Sequence, residues 1–278
     1  MSHHPKDKEH RMELARQALS ASKSLMESNE ITPATVIPAI DRLAIMPTQP
    51  SLYAEFEDGF TQDVGLRMPE NTGVLIFGSS TQPGGGWLNG AKAQEEDVSL
   101  ASTWGYQATE GGEDFYIKDD SPSGIGPDKV LSAKGYWLFD QYGYPLEKKI
   151  PAHFISVSAP NLATSEAQRL RKDILIETLG RRIATALEVW RQEGVENVLM
   201  GAIGCGVFKW DATDSAIAVS KGIAHFRRRY GNNMKITFAM VDPDIKEAYD
   251  RVLGDPRLWN PAAAAAKTAK KKITRRFY

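Results

Sequence analysis

The chain has a single cysteine, Cys205, in 278 residues, which rules out an internal disulfide framework and a cysteine-rich zinc site and fits a reducing compartment. Histidine is scarce too. Of the five, His3, His4 and His10 fall in a polar leader while His153 and His225 stand singly, so no metal centre is expected. No run of eighteen apolar residues is present to span a bilayer, and Met1 to His10 lacks the apolar segment of a secretory signal. A cytoplasmic protein without membrane contact is the expectation. Two phosphate-binding signatures are missing as well. Neither glycine run ends in Gly-Lys-Ser/Thr, as a P-loop must, and Lys209 stands where the last glycine of Gly-x-Gly-x-x-Gly would follow Gly204 and Gly206. Kinase and dehydrogenase chemistry are set aside, and no cofactor is expected.

A formal net charge of -1 hides an uneven distribution. Six basic residues and no acid follow residue 260 (Lys267, Lys270, Lys271, Lys272, Arg275, Arg276), which leaves 28 basic against 35 acidic residues in the rest. So acidic a body is no nucleic-acid-binding surface; an anionic ligand would have to be held locally by loops and helix N-termini. The chain therefore divides into a globular part, 1–255, and a basic segment, 256–278, that reads as a mobile tail. That tail is either a solubilising end or an electrostatic tether to a polyanion.

With 42% hydrophobic residues the chain can bury one large α/β core or two modest ones. Apolar runs of strand length alternate with amphipathic segments, the pattern of an α/β sheet covered by helices. Strands are expected at 73–77, 153–158, 197–203 and 235–241. Leu175, Leu179, Ile183, Ala186 and Trp190 form the clearest helical stripe, ended by Gly194. A second helix is expected from about Thr213 to Tyr230, capped by Asp211 or Thr213 and stopped by Gly231, and an N-terminal one along Met12, Ala15, Leu19 and Met26. Residues 105–149 show no sustained period and read as irregular insertions, with a hairpin around Tyr142-Gly143.

Two glycine loops, Thr81 to Gly90 and Gly204 to Lys209, would leave the carboxyl ends of strands, where open α/β sheets bind ligands. In the first, Gly84-Gly85-Gly86 is followed after seven residues by Gln94-Glu95-Glu96. Consecutive glycines let backbone N–H groups approach a ligand closely, as a phosphate or sugar requires. From Gln94 the chain reads as the first turns of a helix, with acids where the helix dipole is positive. Acids there stabilise a helix start by about 0.3–1 kcal/mol each, which could by itself explain them. Neighbours on a helix point about 100° apart, so Glu95 and Glu96 would not face one point and could divide hydroxyl binding and proton transfer. In the second loop the N–H groups of Gly204-Cys205-Gly206-Val207 could form a nest for a diphosphate, with Phe208 covering a sugar or base, or alternatively lying in the core beneath a tight turn. Cys205 has no histidine near it in sequence, which disfavours a thiol nucleophile.

The stretch Pro83-Gly84-Gly85-Gly86-Trp87-Leu88-Asn89-Gly90-Ala91-Lys92-Ala93-Gln94-Glu95-Glu96 resembles the Gly-Gly-Gly, spacer, Gln-Glu-Glu signature of the bacterial-type poly(ADP-ribose) glycohydrolases, a macrodomain family. The resemblance continues through Ser158-Ala159-Pro160-Asn161, the run from Gly201 to Phe208 and the late strand ending at Asp242, and spans residues from about 10 to 253. It implies a macrodomain-like three-layer α/β/α sandwich with a mixed central sheet and an N-terminal helical extension, binding ADP-ribose in a crest cleft. By the same resemblance Glu96 is the catalytic acid/base and Glu95, beside Gln94, orients the ribose. Gly84, Gly85 and Gly86 pass close to that ribose; Gly204, Gly206 and Val207, in one loop with Cys205, wrap the diphosphate; Phe208 fixes the terminal ribose. Asn89 is a further ribose contact or a turn residue. The implied activity is hydrolysis of the ribose–ribose bond of poly(ADP-ribose), with ADP-ribosylated proteins as partners. A non-catalytic ADP-ribose reader, a hydrolase of another ADP-ribosyl conjugate and an unrelated nucleoside-sugar glycosidase are the alternatives. The chain departs from the family after Phe208: Lys209-Trp210-Asp211 stands where members often have Gly or Asn and then Pro.

Overall fold

The computed structural model describes residues 7–43, 52, 54–116, 124–231 and 234–255; the basic segment 256–278 and the histidines at positions 3 and 4 lie outside them. At the centre is one seven-stranded mixed sheet in the order β1-β4-β5-β3-β6-β7-β2. Its strands are β1 (Thr35–Pro38), β2 (Glu55–Asp58), β3 (Thr72–Phe77), β4 (Lys129–Phe139), β5 (Pro145–Val157), β6 (Asn197–Met200) and β7 (Lys235–Met240). Five of them, β5-β3-β6-β7-β2, run parallel, and β4 and β1 close one edge with antiparallel pairing.

The period-2 alternation of strands sorts side chains between two cores. Leu75, Ile155, Val198, Met200, Ile236 and Phe238 point to one face. There they meet α6 (Lys172–Gln192) and α7 (Ala212–Tyr230), with α8 (Pro243–Gly254) at the sheet's β7 side. Val74, Ile76, Leu131, Trp137 and Phe154 point to the other, under α3 (Gln94–Ala101) and α4 (Trp104–Gly111). α1 (Lys8–Glu27) lies outside α3 and packs on Trp87 and Leu100. Two short helices, α2 (Thr61–Gly65) and α5 (Ser165–Gln168), complete the set among the described residues. Mixed sheet, two helical layers and N-terminal helix match the expected sandwich. None of the helices is long and apolar enough to cross a membrane, among the described residues.

Every residue of the 175–190 stripe is buried in α6, and the Asp211 side chain caps α7 by accepting from the Thr213 and Asp214 N–H groups. Three expectations change. The described part of 105–149 is more regular than expected: it carries most of α4 and all of β4, which turns at Asp140–Tyr144, the expected hairpin around Tyr142-Gly143, into a β5 that starts at Pro145, well before 153. β6 stops at Met200, because Gly201 runs against the Phe77 ring and the Ala239 carbonyl and turns the chain into the second glycine loop. In α1 the buried face is Arg11, Leu14, Ala15, Ala18 and Ser22, not a purely apolar stripe.

Candidate active site

Each of the five parallel strands delivers its carboxyl end to one cleft of about 770 Å³. β2 leads into Gly59 and Phe60, β3 into Ser79 and the first glycine loop, β5 into Ala159, β6 into the run from Ala202 to Phe208, and β7 into Val241 and Asp242. The two glycine loops thus form parts of one cleft wall, as open parallel sheets arrange ligand sites.

α3 begins at Gln94 with Ala93 as an N-cap that supplies no side-chain hydrogen bond, so the acids of its first turn, Glu95, Glu96 and Asp97, sit on an uncapped positive helix end. Glu96 Oε1 accepts the Gly86 N–H at 2.9 Å, and Glu95 Oε2 accepts the Ser79 N–H at 2.6 Å. Gly85 makes this closeness possible. Its φ is +64°, and a Cβ there would lie 2.4 Å from Glu96 Oε1 and 3.4 Å from Glu95 Oε2. The two carboxyl groups therefore border one small volume over Gly85, against the expectation that they face apart: the torsions of the long glutamate side chains bring together what the helical backbone spreads by about 100°.

Burial holds the Glu95 carboxyl well above the usual carboxylate range. The Ser79 hydrogen bond opposes that rise, the charge of Glu96 adds to it, and the Trp104 indole N–H, which faces the carboxyl without closing a hydrogen bond, opposes it weakly. Tyr116 is a neighbour that sequence periodicity did not single out: burial pushes its phenol up, and the Glu95 charge pushes the same way. Gln94 lines the cleft, yet its amide is engaged by protein groups. Its Oε1 accepts the Phe77 N–H at 2.9 Å, and its Nε2 donates to the Leu75 carbonyl at 2.8 Å and to Thr61 Oγ1 at 3.2 Å, which ties the start of α3 to the end of β3. Gly84 is buried behind the loop against Trp87, and Asn89 is exposed at the end of the short turn Trp87–Asn89; neither lines the cleft.

In the second loop Gly204, Cys205, Gly206, Val207 and Phe208 all reach the cleft. Turn bonds from Lys209 N–H to the Gly206 carbonyl and from Trp210 N–H to the Gly204 carbonyl close it. Trp210 is buried beneath Gly204, whose Cβ would stand 2.7 Å from its ring, and its indole N–H donates to the Pro160 carbonyl at 2.7 Å. Gly206 has nothing within 4 Å of a Cβ position, so its backbone is open to solvent or ligand. Burial pushes the Cys205 thiol up to about 11, which leaves it protonated at neutral pH and unsuited to nucleophilic attack. Among the described residues no three of His, Cys, Asp and Glu are grouped to hold a metal ion.

Residues 4–134, which include the first glycine loop and the Gln-Glu-Glu run, match the family model described as microbial-type PARG, catalytic domain. Solved structures of similar fold include the poly(ADP-ribose) glycohydrolase of Deinococcus radiodurans in complex with ADP-ribose, at 26% identity and a TM-score of 0.62 over 74% of this chain and 86% of that one. The enzyme of the same name from Thermomonospora curvata is 22% identical, with a TM-score of 0.60 over 86% of this chain and 88% of that one. Bound to the inhibitor ADP-HPD it gives 22% identity and a TM-score of 0.62 over 87% and 99%. No curated protein matches the chain.

Proposed function

Because the chain shares the catalytic-domain signature and the fold of the microbial-type poly(ADP-ribose) glycohydrolases, we propose that it is a glycosidase that hydrolyses the ribose–ribose bond of poly(ADP-ribose) and releases ADP-ribose. Residues 1–255 are its catalytic domain. The cleft holds the terminal ADP-ribose, with its diphosphate on the N–H groups of Gly204, Gly206 and Val207, its last ribose between Phe208 and the loop of Gly85 and Gly86, and its anomeric linkage at Glu96. The observation that carries this reading is the fixing of Glu96 Oε1 by the Gly86 N–H inside a cleft that the second glycine loop also lines.

In that arrangement Glu96 donates its proton to the leaving ribose hydroxyl as the glycosidic C–O bond breaks, leaving an oxocarbenium-like sugar. Water then adds to the anomeric carbon and returns a proton to the same carboxylate. The substrate diphosphate, negatively charged and close by, favours the cationic transition state. Glu95, which burial keeps toward its neutral form, can donate a hydrogen bond to a ribose hydroxyl without adding a second negative charge to the pair. Gln94 anchors α3, and Gly84 and Asn89 shape the loop from outside the cleft.

Replacing Glu96 by Gln tests the reading: ADP-ribose release from poly(ADP-ribose) should fall by at least about a thousandfold, while calorimetry still detects binding of free ADP-ribose. Wild-type protein that binds ADP-ribose but liberates none from any conjugate would make the chain a reader. Turnover of mono-ADP-ribosyl proteins alone would move the substrate to another conjugate.

A further inference from the structure

Arg11, on the first turns of α1, is 1% exposed and far in sequence from either glycine loop. Its Nε and Nη2 both donate to the Ala91 carbonyl, at 3.0 and 2.6 Å, and its Nη1 contacts Asp97 Oδ1 at 2.7 Å. Ala91 in turn donates its N–H to the Gly86 carbonyl at 3.2 Å, and the Gly86 N–H donates to Glu96 Oε1 at 2.9 Å. Asp97 is covalently next to Glu96. The contacts therefore close a ring: guanidinium, Ala91, Gly86, Glu96, Asp97 and back to the guanidinium. One planar fork holds both the spacer of the glycine loop and the first turn of α3, so the separation between the Gly86 N–H and the Glu96 carboxyl is fixed from both sides. The same turn of α1 presses on the spacer at Gly90, where a Cβ would stand 2.8 Å from the Lys8 side chain and 2.9 Å from its carbonyl.

We propose that Arg11 is a positioning residue for the reaction assigned to Glu96, and that α1 is through it a part of the catalytic apparatus. The inference rests on the function proposed above. Arg11 borders the cleft wall, but its polar atoms are spent on Ala91 and Asp97 and reach Glu96 through them and Gly86. Its loss should therefore act on turnover, which depends on the carboxyl being held to within a fraction of an ångström, and much less on grip of ADP-ribose by the second loop. A displacement of about 1 Å at a reacting group can cost about a hundredfold in rate.

The test uses the full chain and poly(ADP-ribose) as substrate, with kcat and KM measured separately, calorimetry of free ADP-ribose, and a melting curve for each variant. Arg11→Met should lower kcat about a hundredfold while KM and ADP-ribose affinity stay within about threefold. Arg11→Lys keeps the charge facing Asp97 but cannot make the two-pronged bond to Ala91, so it should recover part of the kcat and not all of it. Arg16→Met, on the exposed face of the same helix, should match wild type. If Arg11→Met does not fold, Arg11→Lys decides. Wild-type kcat in a folded Arg11 variant overturns the assignment, and so does a loss of ADP-ribose binding in step with kcat, which would mean general damage to the cleft. A wild-type chain without turnover on any ADP-ribosyl substrate sinks the proposed function and this inference together, whereas normal wild-type turnover with indifferent Arg11 variants sinks only the second.

Discussion

Lys209 holds its backbone at a φ of +60°, a left-handed conformation that costs a residue with a Cβ about 1–2 kcal/mol. The loop requires it, since the Lys209 and Trp210 N–H groups must turn back to the carbonyls of Gly206 and Gly204. The departure from the Gly or Asn of the resembling family thus leaves the turn in place and loads it with strain. Lys209→Asn should raise the melting temperature by about 1–3 °C, because asparagine tolerates this region better; an unchanged or lower midpoint would show that the turn is not strained. Two glycines separate folding from binding and from turnover. At Gly206 a methyl meets no protein atom, so Gly206→Ala should melt within about 2 °C of wild type yet bind ADP-ribose at least about tenfold more weakly if the diphosphate lies on this backbone. Gly85→Ala should do the reverse and damage the catalyst itself, since its methyl would occupy the place of Glu96 Oε1 at a φ of +64°. A kcat reduced by about a hundredfold is expected there, and steady-state kinetics on the folded variant check it. Residues such as Gly85, Gly86, Glu95 and Glu96 were legible in the sequence because their spacing is local. Arg11 was not, because a buried guanidinium has no periodic signature and its partners lie eighty positions away.

Elements follow the same division. β3, β6 and β7 could be read from the sequence because strands buried on both faces are short apolar runs, and α6 because its stripe is apolar throughout. β4 and α4 could not, and glycine is the reason. Gly135 interrupts β4 where a Cβ would strike Thr103 Oγ1 and Gln107 Oε1, and Gly105 and Gly111 weaken the helical signal of α4 while allowing it to approach Trp87 and the Ala34 backbone. Tertiary packing forms these two elements against their local propensity. The β4–β5 pair also carries a buried histidine with a consequence for stability. His153, 5% exposed, shares a 2.8 Å hydrogen bond with Ser132, and burial lowers its pKa from 6.5 to about 4. Below pH 6.5 the unfolded chain takes up a proton that the folded one refuses until about pH 4, so stability fully present above pH 6.5 is lost as pH falls across that window, by roughly 3 kcal/mol in all. Glu95 acts with the opposite sign, since a raised carboxyl pKa favours the folded state at low pH. The measurement is therefore the difference in urea unfolding free energy between wild type and His153→Gln at each pH, in which Glu95 cancels. That difference should shrink from pH 7 to pH 4; a flat one would mean that His153 takes up its proton alike in the folded and the unfolded chain.

At the scale of the whole molecule the charges present a problem that the cleft does not solve. Outside the six cations that follow residue 260 the chain has 28 basic and 35 acidic residues, and its proposed substrate is a long polyanion. A single ADP-ribose unit can be held against this unfavourable background by local N–H groups, because their dipoles act within a few ångströms and salt screens the rest over about 10 Å. A polymer cannot be gathered in this way, since most of its phosphates lie beyond the reach of the two loops. The segment 256–278 lies outside the described residues, but its charge is plain in the sequence: six cations and no acid after residue 260 could hold the distal polymer while the acidic body keeps everything but the terminus at a distance. Deleting Pro261 to Tyr278 should then leave kcat/KM on a short ADP-ribosyl substrate within about twofold of wild type and weaken association with long poly(ADP-ribose) at low salt. Counterion release sets the form of the effect: each cation engaged adds about 0.7 to the slope of log affinity against log salt for a flexible single strand, so the truncated chain should show a shallower slope and converge with wild type as salt rises. Equal affinity for the long polymer at low salt, with and without the segment, would remove the tether and leave the two glycine loops as the whole of substrate recognition.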